Sequence, residues 1–183
     1  MKKKFIMVIV LLLIFSISSC RTVKEAPNAN ENNEKENGII EPLPENTERE
    51  VTLYFANSLY VETGDESKEK LIAEKRNLKI DDIISIEEAI VRELMKGTDN
   101  KDLETEIPKT ANLIDVKVSN KTAYVNFARE GMHGGSLQEG FTISQIVKSL
   151  LELDEINKVQ FLIDGKAEES LMGHFDISKP FEE

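Results

Sequence analysis

Apolar residues recur at every second position in several stretches of the chain and at three- and four-residue intervals in two others. Val51, Leu53 and Phe55 alternate with Thr52, Tyr54 and Ala56, the period of a half-buried strand. Further extended segments are expected from Leu59 to Glu62 and, past a charged loop containing Gly64, from Leu71 to Leu78. The pattern then changes period. Ser85 with Glu88 three positions later forms a capping-box signature, and Ile86, Ala89, Ile90 and Leu94, widened by Val91 and Met95, form one stripe that Gly97 closes. That spacing predicts an amphipathic helix with Met95 as core filler.

Ile107, Pro108 and Thr110 read as a turn or loop before two more period-two runs, Ile114, Val116, Val118 and Ala123, Val125, Phe127. The Asn120, Lys121 interruption between them predicts an antiparallel hairpin. Ser136 with Glu139 repeats the capping-box signature, and Ile143, Ile146, Val147, Leu150 and Leu151 gather on one side of the following helix. Gln145, Lys148, Ser149 and Glu152 fall on its more polar side. Val159, Phe161 and Ile163 alternate in a last strand ending near Asp164 and Gly165, and a tail follows through Phe175, Ile177 and Phe181. This order predicts a two-layer α/β sandwich, a mixed or antiparallel sheet packed by two helices, over residues 49–183.

The first 48 residues follow different rules. Lys2, Lys3 and Lys4 precede an apolar stretch from Phe5 to Phe15, and the small residues Ser16 to Ser19 lead into Cys20. A basic head, an apolar core and a small-residue exit are the parts of an export signal, and this core is short for a span of about 20 residues. Ile17, Ser18, Ser19 and Cys20 resemble the lipobox of bacterial lipoproteins, which implies cleavage after residue 19 and lipid, including palmitate, on Cys20. More than one acyl chain gives durable attachment, since each buried methylene contributes about 0.8 kcal/mol. Arg21 stands where an aspartate favours inner-membrane retention in some bacteria with two membranes. Residues 20–48 then combine the lipidated cysteine with a spacer rich in asparagine, glutamate and proline, too poor in apolar surface to offset ordering. Its random-coil reach is about 30 Å.

Charge and composition narrow the chemistry. The chain carries 23 Lys and Arg against 34 Asp and Glu. Removal of residues 1–19 takes three lysines and no acid, leaving 20 against 34, or −14. Such a surface offers no basic track for nucleic acid. Cys20 is the only cysteine, so no intrachain disulfide or cysteine-based metal or catalytic centre is expected. His133 and His174 are the candidates for acid–base work, with Asp176 or Asp164 as orienting carboxylates, but no nucleophile elbow accompanies them. Ser136 is better used as a cap. Neither a histidine–carboxylate metal site nor a calcium loop through Asp99, Asp102 and Glu104 has the required ligand spacing. The stretch Gly131, Met132, His133, Gly134, Gly135 lacks a phosphate-loop lysine and reads as a turn delivering Ser136 to its helix. No catalytic residue, metal or cofactor is expected.

Several separated segments, taken together, resemble the GerMN domain of sporulation and spore germination proteins. They are Val51 to Ala56, Ile107-Pro108, Ala123 to Phe127, Gly135-Ser136, Gln145-Ile146-Val147, Val159 to Gly165, Gly173 to Ser178 and Pro180-Phe181, in order over residues 49–181. The resemblance implies a fold similar to ring-building α/β modules of envelope assemblies, frequent occurrence in lipoproteins and no enzymatic mechanism. The family includes tandem forms, whereas this chain has length for one copy. The expected function is thus a non-enzymatic, membrane-tethered binding or assembly module on the extracytoplasmic face of a bacterial membrane. Its partners would be the membrane through the anchor and an envelope protein or wall component. A small-ligand or wall-glycan binding lipoprotein is the alternative, which a deep pocket lined by residues from the Gly131 loop and the C-terminal segment would favour and a filled core with no cavity would count against.

Overall fold

In the computed structural model, which describes residues 47–80 and 83–182, the first alternating run is strand β1, Thr47–Asn57. Cys20 and the expected signal and spacer lie outside the described residues. β1 pairs antiparallel along its length with β2, Leu71–Ile80, from Thr47↔Ile80 to Ala56↔Leu71. Its other side pairs near the end of the strand with the two-residue β3, Leu103–Glu104.

The segment from Leu59 to Glu62 is not extended. It forms helix α1, Ser58–Thr63. Three consecutive apolar residues fit either period, and the ends decide. The Asn57 side chain accepts a hydrogen bond from Leu59 N at 3.1 Å, and Gly64 at φ +66° donates its N–H to the Tyr60 carbonyl at 2.8 Å, so both termini are capped. Tyr60 is then buried edge-to-face on Phe141, 5.8 Å between centroids.

Helix α2, Ile86–Lys96, follows its stripe: Ile86, Ala89, Ile90, Val91 and Leu94 are buried, and Met95 packs partly buried against the core. Ser85 Oγ accepts from Glu88 N at 3.2 Å. The Glu88 carboxylate turns instead to Arg92, one helical turn on. Strands β4, Leu113–Ser119, and β5, Thr122–Phe127, form the expected hairpin. Asn120 and Lys121 both have positive φ, 50° and 61°, the twist that a two-residue hairpin turn needs. β5 then pairs in parallel with β6, Lys158–Ile163. The strands are therefore divided between an antiparallel sheet, β2-β1-β3, and a mixed sheet, β4-β5-β6.

Helix α3, Ser136–Leu151, touches β1, β6 and α2. One hydrophobic cluster runs through both sheets and both long helices, with Phe55, Phe127 and Phe161 completely buried. From Lys166 the chain continues as an arm without regular structure, returning to β6 where Phe181 bridges Val159.

Candidate functional site

Four polar side chains of α3, of which Gln145 and Ser149 were expected on its polar side and Glu139 in a capping box, position distant segments of the domain. Glu139, Thr142, Gln145 and Ser149 recur at intervals of three and four, and none retains solvent exposure. Each binds the backbone of a distant segment. Glu139 Oε1 accepts from Leu171 N at 3.0 Å and Met172 N at 2.9 Å, and its Oε2 accepts from His174 N at 2.8 Å. Thr142 Oγ1 donates to the Glu106 carbonyl at 2.9 Å, while Gln145 Oε1 accepts from Glu106 N at 2.9 Å. The Gln145 amide nitrogen is buried with no hydrogen-bond partner among the described residues. Burial also raises the Glu106 carboxyl, with Glu104 adding to the shift.

Ser149 Oγ accepts from Tyr54 N at 2.9 Å, on the side of β1 that β3 leaves unpaired. An open strand edge invites adventitious pairing, and here α3 covers it. The Tyr54 hydroxyl donates to Glu152 Oε1 at 2.7 Å, and Lys148 Nζ stands 4.2 Å from the centre of the Tyr54 ring. The hydrogen bond to Glu152, with burial and the Glu152 charge adding to it, pushes the Tyr54 phenol up to about 12. The folded state thus holds this proton more tightly than the unfolded chain. The stabilisation is complete below the ordinary tyrosine range near 10 and is lost as pH rises from there to about 12. An ultraviolet titration of the three tyrosines should show one phase near 12 that Tyr54→Phe removes. Persistence of that phase in the variant would refute the assignment.

The expected capping box at Ser136 and Glu139 does not form. Gly135 is the N-cap, extended at φ −87° and ψ 174°, with no side-chain cap hydrogen bond, and Ser136 is the first helical residue. A cap must be non-helical, so entry one residue early removes Ser136 from that role, and Glu139 is taken by the arm. Gln145 and Ser149, expected on the polar side, are buried, whereas Val147 and Leu151 are only partly so.

The histidines do not join a catalytic group. His133 is exposed. His174 Nε2 lies 3.1 Å from the Gly134 carbonyl. Asp176 is engaged by Ser178, whose N–H it accepts at 2.8 Å, and the Ser178 hydrogen bonds hold its carboxyl below the usual range. Asp164 accepts from Arg129 N at 3.3 Å. No cluster of three His, Cys, Asp or Glu suited to a metal ion occurs among the described residues.

The C-terminal segment meets the Gly131 loop where His174 reaches the Gly134 carbonyl. An open hollow of about 440 Å³ is lined by Glu169, Ser170, Gly173 to Asp176 and Ser178, all from the arm. Gly131 instead locks against the loop before β4: Thr110 Oγ1 donates to its carbonyl at 2.8 Å.

The fold is seen among known proteins. The first GerMN domain of the Bacillus subtilis sporulation protein GerM superposes with a TM-score of 0.57 at 16% identity, covering 74% of this chain and 97% of that one. The tandem GerMN domains of the same protein give 0.52 at 17% identity, covering 80% of this chain and 49% of that one, so the chain spans about half the tandem. These likenesses establish the two-sheet GerMN fold. No curated protein is significantly similar in sequence. The family model described as sporulation and spore germination matches residues 52–169, and the chain belongs to that family.

Proposed function

We propose that the chain is a non-enzymatic binding or assembly module of the cell envelope, associated with sporulation or germination and tethered through lipid on Cys20 to the outer face of a bacterial membrane. The family match over residues 52–169 carries the reading. The residues ahead of the domain supply the tether: an export signal at 1–19, Cys20 in a lipobox, and a spacer to about residue 48. No helix among the described residues is long and apolar enough to cross a membrane. The partner is an envelope protein or wall component, met through sheet edges or helix faces rather than through a reacting centre. The polar side chains that could have served chemistry on α3 are occupied in holding backbone. In-cell crosslinking of the intact chain, beside a Cys20→Ala variant that should leave the membrane fraction, tests anchor and partner together.

A further inference from the structure

The strand edges of this domain are protected in different ways. β2 carries charged side chains, with Lys75 paired to Glu50 and Arg76 to Glu74 and Glu93. β4 has a register shift between Leu113 and Asp115 and an exposed Lys117. Charges and bulges of this kind discourage further pairing. β6 has no bulge and a single charge, Lys158 at its start, which pairs with Glu182 of the arm, and its outer edge is covered by the arm.

Val159 exchanges two backbone hydrogen bonds with Phe181, 2.9 Å to the Phe181 carbonyl and 2.8 Å from its N–H. The Phe181 ring stands edge-to-face on Phe161, centroids 5.8 Å apart at 77°, and Glu182 pairs with Lys158. Upstream, the arm is fixed by the Glu139 hydrogen bonds and by the fully buried Leu171 and Ile177. Between Ile177 and Phe181, however, Ser178, Lys179 and Pro180 are exposed. The covering piece is thus a short outer segment behind a firmly held inner one. Its lifting would bare a strand edge, the ring of Phe161 and the charge of Lys158.

We propose that the outer edge of β6 is a strand-acceptor site for an extended partner segment that presents an aromatic residue followed by a carboxylate, and that residues 178–182 occupy the site in the free chain. The occupying segment itself defines the chemistry: an aromatic on Phe161, an acid on Lys158 and backbone pairing with Val159, the mode of β-strand addition. Biological use of the site rests on the reading of the chain as a binding module.

The probe is a fluorescent peptide with the sequence of residues 177–182, titrated into the full chain and followed by anisotropy. Because a closed site lowers apparent affinity by its open fraction, Phe181→Ala should bind the peptide at least roughly tenfold tighter than the unaltered chain. Glu182→Lys, an exposed change that spares the ring pair, should shift affinity in the same direction by less. A peptide with alanine in place of the aromatic should lose binding to both. Equal binding by the unaltered chain and the variants, or no binding by either variant with the fold intact by circular dichroism, would overturn the proposal. Failure of the peptide to bind would leave envelope crosslinks untouched, and loss of those crosslinks would leave the peptide result untouched, so the two readings fail separately.

Discussion

Glu139→Ala is expected to lower the stability of the domain by about 3–5 kcal/mol. Three backbone N–H groups, those of Leu171, Met172 and His174, share this one carboxylate. Its removal leaves each without its acceptor at a site where Glu139 has no solvent exposure. An unsatisfied buried donor costs roughly 1–3 kcal/mol, and water entering the space recovers part of the sum. Against a typical total of about 5–15 kcal/mol the loss is severe, and the thermal midpoint should fall by roughly 10–15 °C. Glu139→Gln should cost about half as much. Its carbonyl can still serve Leu171 and Met172, while its amide N–H₂ faces the His174 N–H, donor against donor. Hydrogen exchange separates this from a general loss of packing: the amides of residues 171, 172 and 174 should lose protection first. A midpoint within a degree or two of the unaltered chain would show that the arm is held by other means.

The second large effect is at Gly131. Its φ is +88°, and a Cβ there would run into the carbonyl group of Thr110. Backbone cannot rotate aside as a side chain can. An alanine therefore meets left-handed strain of about 1–2 kcal/mol together with an overlap of about 1–3 kcal/mol. Gly131→Ala should cost about 3 kcal/mol in chemical denaturation. Gly135→Ala is the control: Gly135 has φ −87° and open space where its Cβ would stand. Alanine there restricts the unfolded chain but is a poorer N-cap than glycine, and stability should stay within about 0.5 kcal/mol. Equal costs at the two positions would contradict the account of the loop.

The alternation in β1, β5 and β6 and the stripe on α2 were legible because their side chains obey a local rule, apolar inward at the period of the element; in β4, where the register shifts between Leu113 and Asp115, Leu113 and Val116 are buried, and Ile114 and Val118, expected to share a face with Val116, are exposed. The hairpin turn was legible because Asn120 and Lys121 interrupt two such runs. Helix α1 was misread because six residues give too little period to separate helix from strand, and only its two caps settle it. The polar stripe on α3 was misread for a different reason. A binary pattern assigns polar residues to solvent, whereas Glu139, Gln145 and Ser149 meet backbone groups 32 to 95 residues away. Their spacing of three and four was present in the sequence, but nothing local distinguishes a buried polar stripe from a wet one. The arm shows no period at all. Its place on α3 and β6 depends on Glu139, whose capping-box position suggested a different use. The candidate pair at His174 and Asp176 dissolved because each group is engaged elsewhere, the His174 ring at the Gly134 carbonyl and Asp176 at the Ser178 N–H.

Quantitative crosslinking in cells that make the protein abundantly decides whether the chain is a tethered module acting through an envelope partner. The intact chain should give a specific, saturable crosslink to an envelope protein or a wall fragment, and should fractionate with membranes. Cys20→Ala should leave that fraction and lose most of the crosslink. An abundant, folded, intact chain that yields no specific protein or wall partner would rule out an assembly role.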